Sequence, residues 1–235
     1  FVIGTSLLSL CFFLLSGSLL VSNAYGKEGV AYIQAGNLEM AEGSFLSASR
    51  FDPFASELKV TLASIKNAQN DEAAAVEYMN KAIEKSPYNY SLFSGLSSTY
   101  LNYGKVDKAI DAGKKAVNCA PWLVPAYQSL TEAYVQGGLK CLGQKDTEGA
   151  KKYFTECAGL PEALKEKAEK IPEKAQQIWV GREAFFNLNP SIKMNIGISY
   201  LYLEQFGEAE ENLMAAYNDE QLKPRASFWL AVLYE

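Results

Sequence analysis

The sequence predicts an all-α fold: helical hairpins stacked into a solenoid, preceded by one transmembrane helix. Three observations predict it. Side chains of like size recur along the chain at a spacing of 34 residues. Turn-forming residues and prolines punctuate that spacing at fixed offsets. The chain also opens on a stretch, Phe1 to Gly26, without a single charge. The composition as a whole is globular, with 235 residues, 49% hydrophobic and 21% charged.

The opening element is residues 1–21, FVIGTSLLSLCFFLLSGSLLV, apolar apart from small side chains. About 20 such residues suffice for a helix to cross the hydrocarbon core. Gly4, Ser9, Ser16, Gly17 and Ser18 are the small residues found where membrane helices pack together. A signal peptide cut after Ala24 is the alternative, because Ser22-Asn23-Ala24 has small residues at the right offsets. The missing basic n-region and the length of the run favour a retained helix. The chain starts on Phe rather than Met, inside the apolar run, and stops at Glu235 in mid-hairpin. Both ends therefore read as cuts from a longer protein.

From Ser22 onward, seven columns coincide at the 34-residue spacing. Ala41, Ala75 and Ala109 form one; Ala48, Ala82 and Ala116 another; Pro53, Pro87 and Pro121 a third. Phe45 and Met79 share a column, as do Leu62, Leu96 and Leu130. Tyr32, Tyr100 and Tyr134 fall together with Lys66 as the exception, and Gly36, Asn70, Gly104 and Gly138 mark the expected turn. The physical reading is a helix, a turn tolerant of positive φ, a second helix whose alanines allow close approach, and a terminating proline. One such hairpin cannot bury its apolar face alone, so neighbours must stack.

The units run 22–55, 56–89 and 90–123. The fourth, 124–160, starts in register, but Ala150, Phe154 and Cys157 arrive seven residues late, which implies an insertion around Leu139–Asp146. Residues 161–189 are irregular but helical: a charged helix opened by Pro161, Pro172 as its end or kink, then a helix Glu173 to Leu188 carrying Ile178, Trp179, Phe185 and Phe186. Register returns in 190–223, and 224–235 is a partial unit.

These residues resemble the tetratricopeptide repeat family. The resemblance rests on Gly29, Tyr32, Ala41, Phe45, Ala48 and Pro53 in the first unit, and on Leu62, Ala63, Ala75, Met79, Ala82 and Pro87 in the second. Leu96, Tyr100, Ala109, Ala116 and Pro121 carry it in the third. One departure is Gly113, where the family usually carries a large residue, which predicts thin packing or an intruding neighbour. The resemblance implies a right-handed superhelix whose first helices line a concave groove. Carried over by register, the groove residues are Ser64, Asn67, Ser94, Ser98, Asn102, Gln128 and Gln136, with Ser91, Ser129 and Glu132 on the same face. They are mostly hydroxyls and amides. The Lys, Arg and Asn cluster with which family members hold acidic peptide tails is absent. The expected partner is therefore an uncharged protein segment or glycan.

Catalysis is not expected here. The chain has no His, which removes the usual general base and every His-containing triad or metal site. Cys119, Cys141 and Cys157 lack C-x-x-C spacing, so no metal and no cofactor is expected; Cys141 and Cys157 read as buried thiols or as a disulfide pair. A net charge of −5 gives no reason to bind nucleic acid.

The apolar run followed by AYIQAGNLEMAEGSFLSASRFDPF is similar to the region after the last membrane span of bacterial O-antigen ligase or polymerase-like proteins, over Phe1 to Asn89. That resemblance implies the tail of a glycan-transfer enzyme whose catalytic part lies upstream of Phe1. The alternative is an independent membrane-tethered adaptor. Lys27 is the single basic residue from Ser22 to Ala41, a shortage that favours an extracytoplasmic repeat domain.

Overall fold

The computed structural model describes residues 2–172, 174 and 187–235, with side chains from Leu15 onward. Among them there are helices and turns and no strand. The chain forms two compact units, one ending at Tyr88 and one running Asn89–Glu235.

The first unit holds α1 (Val2–Gln34), α2 (Leu38–Phe51), α3 (Ser56–Ala68) and α4 (Glu72–Lys85). The sequence reading divides this region at residue 22. The helix instead runs through as one 33-residue element, because neither a proline nor a polar cap interrupts it. Among the described residues no helix is long and apolar enough to cross a membrane. The side chains of residues 2–14, most of the expected 1–21 span and Cys11 with it, lie outside the described ones.

The two turns inside the hairpins follow the predicted chemistry. Gly36 (φ +74) and Asn70 (φ 60) take the left-handed conformation. Asn37 and Asp71 then cap α2 and α4, their side chains accepting from Met40 N and Ala74 N at 3.1 Å. Ala41, Phe45 and Ala48 face α1, where Gly29 leaves room for the Phe45 ring. A Cβ at Gly29 would stand 2.6 Å from that ring. Lys66, the exception in the tyrosine column, donates to Glu42 at 2.6 Å and to Gln69 at 3.0 Å. A short polar bridge thus occupies the place of a ring. The core cluster is small: Ala41, Phe45, Leu62 and Ile65.

The second unit holds α5 (Tyr90–Asn102), α6 (Val106–Cys119), a 3₁₀ turn (Val124–Tyr127), α7 (Gln128–Gly143), α8 (Thr147–Ala158), α9 (Leu160–Glu169), α10 (Pro190–Tyr202), α11 (Phe206–Tyr217) and α12 (Lys223–Tyr234). Gly104 (φ +66) makes the α5–α6 turn. Gly138 does not make the next one. It sits inside α7 against Phe154, where a Cβ would fall 2.5 Å from the ring. The turn moves seven residues on, to Lys145 (φ 62), with Asp146 as the cap of α8. The insertion is therefore about two extra helical turns on α7. Glu204 (φ 60) fills the same turn position before α11.

Gly113 is the place where a neighbour intrudes. A Cβ there would stand 3.0 Å from Leu130 Cα of α7. Opposite it, buried Ser97 donates to Ala109 O at 2.8 Å. α10 packs directly on α7 and α8. Asn195 on α10 donates to Thr131 on α7 at 3.1 Å, and Tyr202 stacks on Phe154 with centroids 4.7 Å apart. The charged helix opened by Pro161 is α9, which ends at Glu169, before Pro172. The expected Ile178, Trp179, Phe185 and Phe186 lie outside the described residues.

Cys141 and Cys157 are free thiols and form no disulfide. Cys157 is buried with its Sγ 3.7 Å from Thr131 O and 3.8 Å from Asn195 O. Burial pushes this thiol up to about 12.

Candidate functional site

In the second unit α5 and α7 are the first helices of successive hairpins, and they pack side by side. Ser91, Ser94 and Ser98 recur along one face of α5 at helical spacing, as do Gln128, Glu132 and Gln136 on α7. Between the helices lies a cavity of about 230 Å³ lined by Tyr90, Ser91, Ser94, Ser98, Pro125, Gln128, Ser129 and Glu132. Tyr90 stands one turn before Ser94. Pro125, in the 3₁₀ turn, adds an apolar wall.

The polar groups of the cavity are unevenly satisfied. The buried hydroxyls of Ser94 and Ser129 have no hydrogen-bond partner among the described residues. Buried polar atoms are ordinarily paired, and leaving one unpaired costs about 1–3 kcal/mol. Two such hydroxyls on facing helices make a site poised to receive donors and acceptors. Gln128 is held from the next hairpin, its Oε1 accepting from Asn189 Nδ2 at 3.3 Å. Among the described residues, Glu132 is the one carboxylate in the lining and no cation lines the cavity. The cavity thus offers hydroxyls, an amide and one acceptor-only group. That set suits N–H and O–H donors better than an anion.

The residues expected to form the groove divide as follows. Ser94, Ser98 and Gln128 come together at the cavity, whereas Asn102 at the end of α5 and half-buried Gln136 on α7 do not line it. Ser64 and Asn67 lie on α3 in the first unit. The Ser64 hydroxyl is turned back on its own helix, donating to Val60 O at 3.1 Å. Tyr90 and Pro125 escaped the sequence reading. Extending the Ser94 face one turn backward would have found Tyr90; nothing in the register marks Pro125.

A second cavity of about 230 Å³, also in the second unit, is lined by Asp107, Ile110, Asp111, Lys114, Tyr134, Lys152, Tyr153 and Glu156. Tyr153 Oη donates to Asp107 at 3.1 Å and Tyr134 Oη to Glu156 at 3.3 Å. Burial, with the Glu156 carboxylate beside it, pushes the Tyr134 phenol above its ordinary range. Neither phenol is set up to ionise, so the pair acts as a polar clasp on the hairpin. Among the described residues no His, Cys, Asp and Glu cluster could hold a metal ion.

A family model described as ChAPs (Chs5p-Arf1p-binding proteins) matches residues 33–141. No curated protein matches the chain. Solved structures similar to it include TTC0263, a thermophilic TPR protein in Thermus thermophilus. That likeness is 18% in identity over 89% of this chain and 99% of that one, with a TM-score of 0.52. A tetratricopeptide repeat protein from Parabacteroides merdae ATCC 43184 is 16% identical over 92% of this chain and 73% of that one, with a TM-score of 0.54. MamA is 26% identical over 63% of this chain and 81% of that one, with a TM-score of 0.46.

Proposed function

The fold is that of tetratricopeptide repeat proteins, and from it we propose that this chain is a non-catalytic interaction scaffold. Its second unit holds an extended, uncharged polar segment of a partner protein between α5 and α7. The observation that carries this reading is the pair of unpartnered hydroxyls, Ser94 and Ser129, in a cavity whose described lining is mostly polar and free of cations. A peptide backbone supplies N–H and C=O groups together, which suits both the hydroxyls and Glu132. The family model matching residues 33–141 is described by the proteins its members bind, which supports a protein partner.

Each such hydrogen bond exchanges water for a similar partner, contributing about 0.5–1.5 kcal/mol. Binding should therefore be weak, spread over several contacts and insensitive to salt. Titration calorimetry with neutral hexapeptides rich in Asn, Ser and Gly, at low and high salt, tests this. Weak salt-independent binding that falls several-fold in Ser94→Ala and Ser129→Ala supports the reading. Binding that collapses with salt, or no binding, overturns it; binding of a neutral oligosaccharide alone moves the partner to glycans.

The finer reading adds a membrane tether through residues 1–21, with the repeat on the extracytoplasmic side. In it, the scaffold is the tail of an O-antigen ligase or polymerase-like protein. It is supported by the charge-free run Phe1 to Gly26 leading straight into the first hairpin. The coding sequence upstream of Phe1 separates the two versions. Further apolar spans favour the enzyme tail, and a nearby Met favours an independent tethered adaptor.

A further inference from the structure

The hairpins of the first unit have two unlike ends. The turns within them, Gly36-Asn37 and Asn70-Asp71, are small and polar. The corner joining α2 to α3 carries Pro53-Phe54, and the one after α4 carries Pro87-Tyr88. Phe54 is 78% exposed and Tyr88 88% exposed. They stand 34 residues apart, and the same column in the second unit holds Trp122, 40% exposed. Aromatic side chains that recur with the repeat yet bury so little contribute almost nothing to the core.

The Phe54 corner is also held firmly. Asp52 Oδ1 accepts from Phe54 N at 3.2 Å and from Ala55 N at 3.1 Å. Buried Lys59 donates its ammonium to Pro53 O at 2.7 Å. Lys85 Nζ lies 5.4 Å from the Phe54 ring centroid, which brings the end of α4 to this corner.

What this end faces follows from α1. Ser18 Oγ donates to Phe51 O, Ser22 Oγ donates to Ala48 O at 3.0 Å, and Tyr25 stacks on Phe51 with centroids 6.0 Å apart. So α2 runs antiparallel to α1, and its last turn lies beside Ser18–Tyr25. The aromatic end of the hairpins is therefore the end from which α1 departs toward the apolar run. Leu15, Leu19 and Leu20 are already exposed there. At 1.5 Å per residue, the Phe51 carbonyl sits about one helical turn inside Val21. A span of about 20 residues ending near Val21 puts this end at the headgroup layer. Tyr and Trp rings concentrate at that depth, where Lys and Arg also act as anchors.

We infer that the Phe54 and Tyr88 corners, with Tyr25, Phe51, Arg50 and Lys85, form an edge that lies on the lipid headgroup layer of the membrane anchoring residues 1–21. This rests on the membrane tether of the proposed function. The hairpins of this unit then stand upright on the bilayer, with their Gly36 and Asn70 turns pointing away from it.

The test uses the full chain in phosphatidylcholine and phosphatidylglycerol vesicles, with and without dibrominated acyl chains. Flotation reads whether the chain is membrane-bound. Phe54→Trp adds a fluorophore at the exposed corner, and Ala68→Trp adds one at the opposite end of α3. The increment of fluorescence at position 54 is expected to be lost in brominated vesicles, and the increment at position 68 to persist. In the unsubstituted chain, amide exchange at 52–56 should slow on vesicles while that at 35–37 is unchanged. A chain that floats with position 54 unquenched overturns the edge but leaves the tether, and gives these corners to a protein partner. A chain that does not float overturns both.

Discussion

The first and third hairpins use one 34-residue pattern to close their cores in opposite ways. Between α1 and α2 a large residue meets a small one: the Phe45 ring fills the space left by Gly29. Between α5 and α6 both partners are small, Ser97 and Gly113. Ser97 satisfies its hydroxyl on Ala109 O at 2.8 Å, and the space beside Gly113 is taken by Leu130 of the following hairpin. The first hairpin is thus filled from within, while the third is completed by its successor. A repeat fold can keep its backbone constant and still vary how strongly adjacent hairpins depend on each other.

Removing the self-filling ring should have the largest effect. Phe45→Ala is expected to cost about 3–5 kcal/mol. In hydrogen exchange the loss should concentrate in α1 to α3; a loss spread evenly over the chain would contradict an internally filled hairpin. Ala82→Leu comes next. Ala82 is fully buried in a column that holds only Ala in the first three units, and overpacking it costs roughly 1–3 kcal/mol. An unchanged melting midpoint would refute the close approach there.

Gly113→Ala sharpens the contrast. The new methyl would meet Leu130 backbone, which cannot swing aside, at about 1–3 kcal/mol. The gain in helix propensity, about 1 kcal/mol, offsets only part of this. Net destabilisation of about 1 kcal/mol is expected, with loosened contact between α6 and α7 by exchange; a net gain would show that Leu130 yields. The smallest effect is that of Ser129→Ala. Deleting an unpartnered buried hydroxyl relieves part of its desolvation cost and loses a little packing, so stability should be unchanged or rise by less than about 1 kcal/mol. A clear loss in chemical denaturation would mean that the hydroxyl already has a partner in the free protein.

Cys157 adds a pH dependence. Its folded value, about 12, lies above the 9.0 of an unperturbed thiol. The folded state therefore holds a proton that the unfolded state releases above pH 9, and stability should fall as pH rises from there toward 12. Cys157→Ala should lessen that fall, most clearly between pH 9 and 10, below the range in which the buried phenols contribute, in a pH–stability profile measured by denaturant unfolding.

Much of the fold could be read from particular residues. The alanine columns fixed the close contacts, the prolines fixed the corners, and the late Ala150 announced the insertion. Gly138 misled, because a column can keep its register after the helix around it has lengthened. In α7 that glycine serves Phe154 rather than a turn. The compensation of Gly113 by Leu130 was legible only as a disjunction, since sequence spacing does not say which neighbour fills a gap. At the candidate site, register placed Ser94, Ser98 and Gln128 on one kind of face. It could not divide the groove between two compact units, nor show that Ser64 spends its hydroxyl on its own helix. Those outcomes depend on rotamers and packing, which a period does not encode.

The direct seating of α10 on α7 and α8 has a consequence for the order of folding. The Asn195–Thr131 hydrogen bond joins residues 64 apart in sequence, against 46 for the Tyr153–Asp107 bond between the two preceding hairpins of the same unit. Within this unit the α5–α6 and α7–α8 hairpins meet as neighbours in sequence, but this contact must first bring more distant residues together. Loop closure grows only slowly with length, about 0.6 kcal/mol per doubling, so the cost to final stability is slight. The cost in time is larger, because non-local contacts are made late. The α10–α11 hairpin should therefore be the last piece to acquire protection. In pulse-labelled refolding its amides would trail those of α5 to α8.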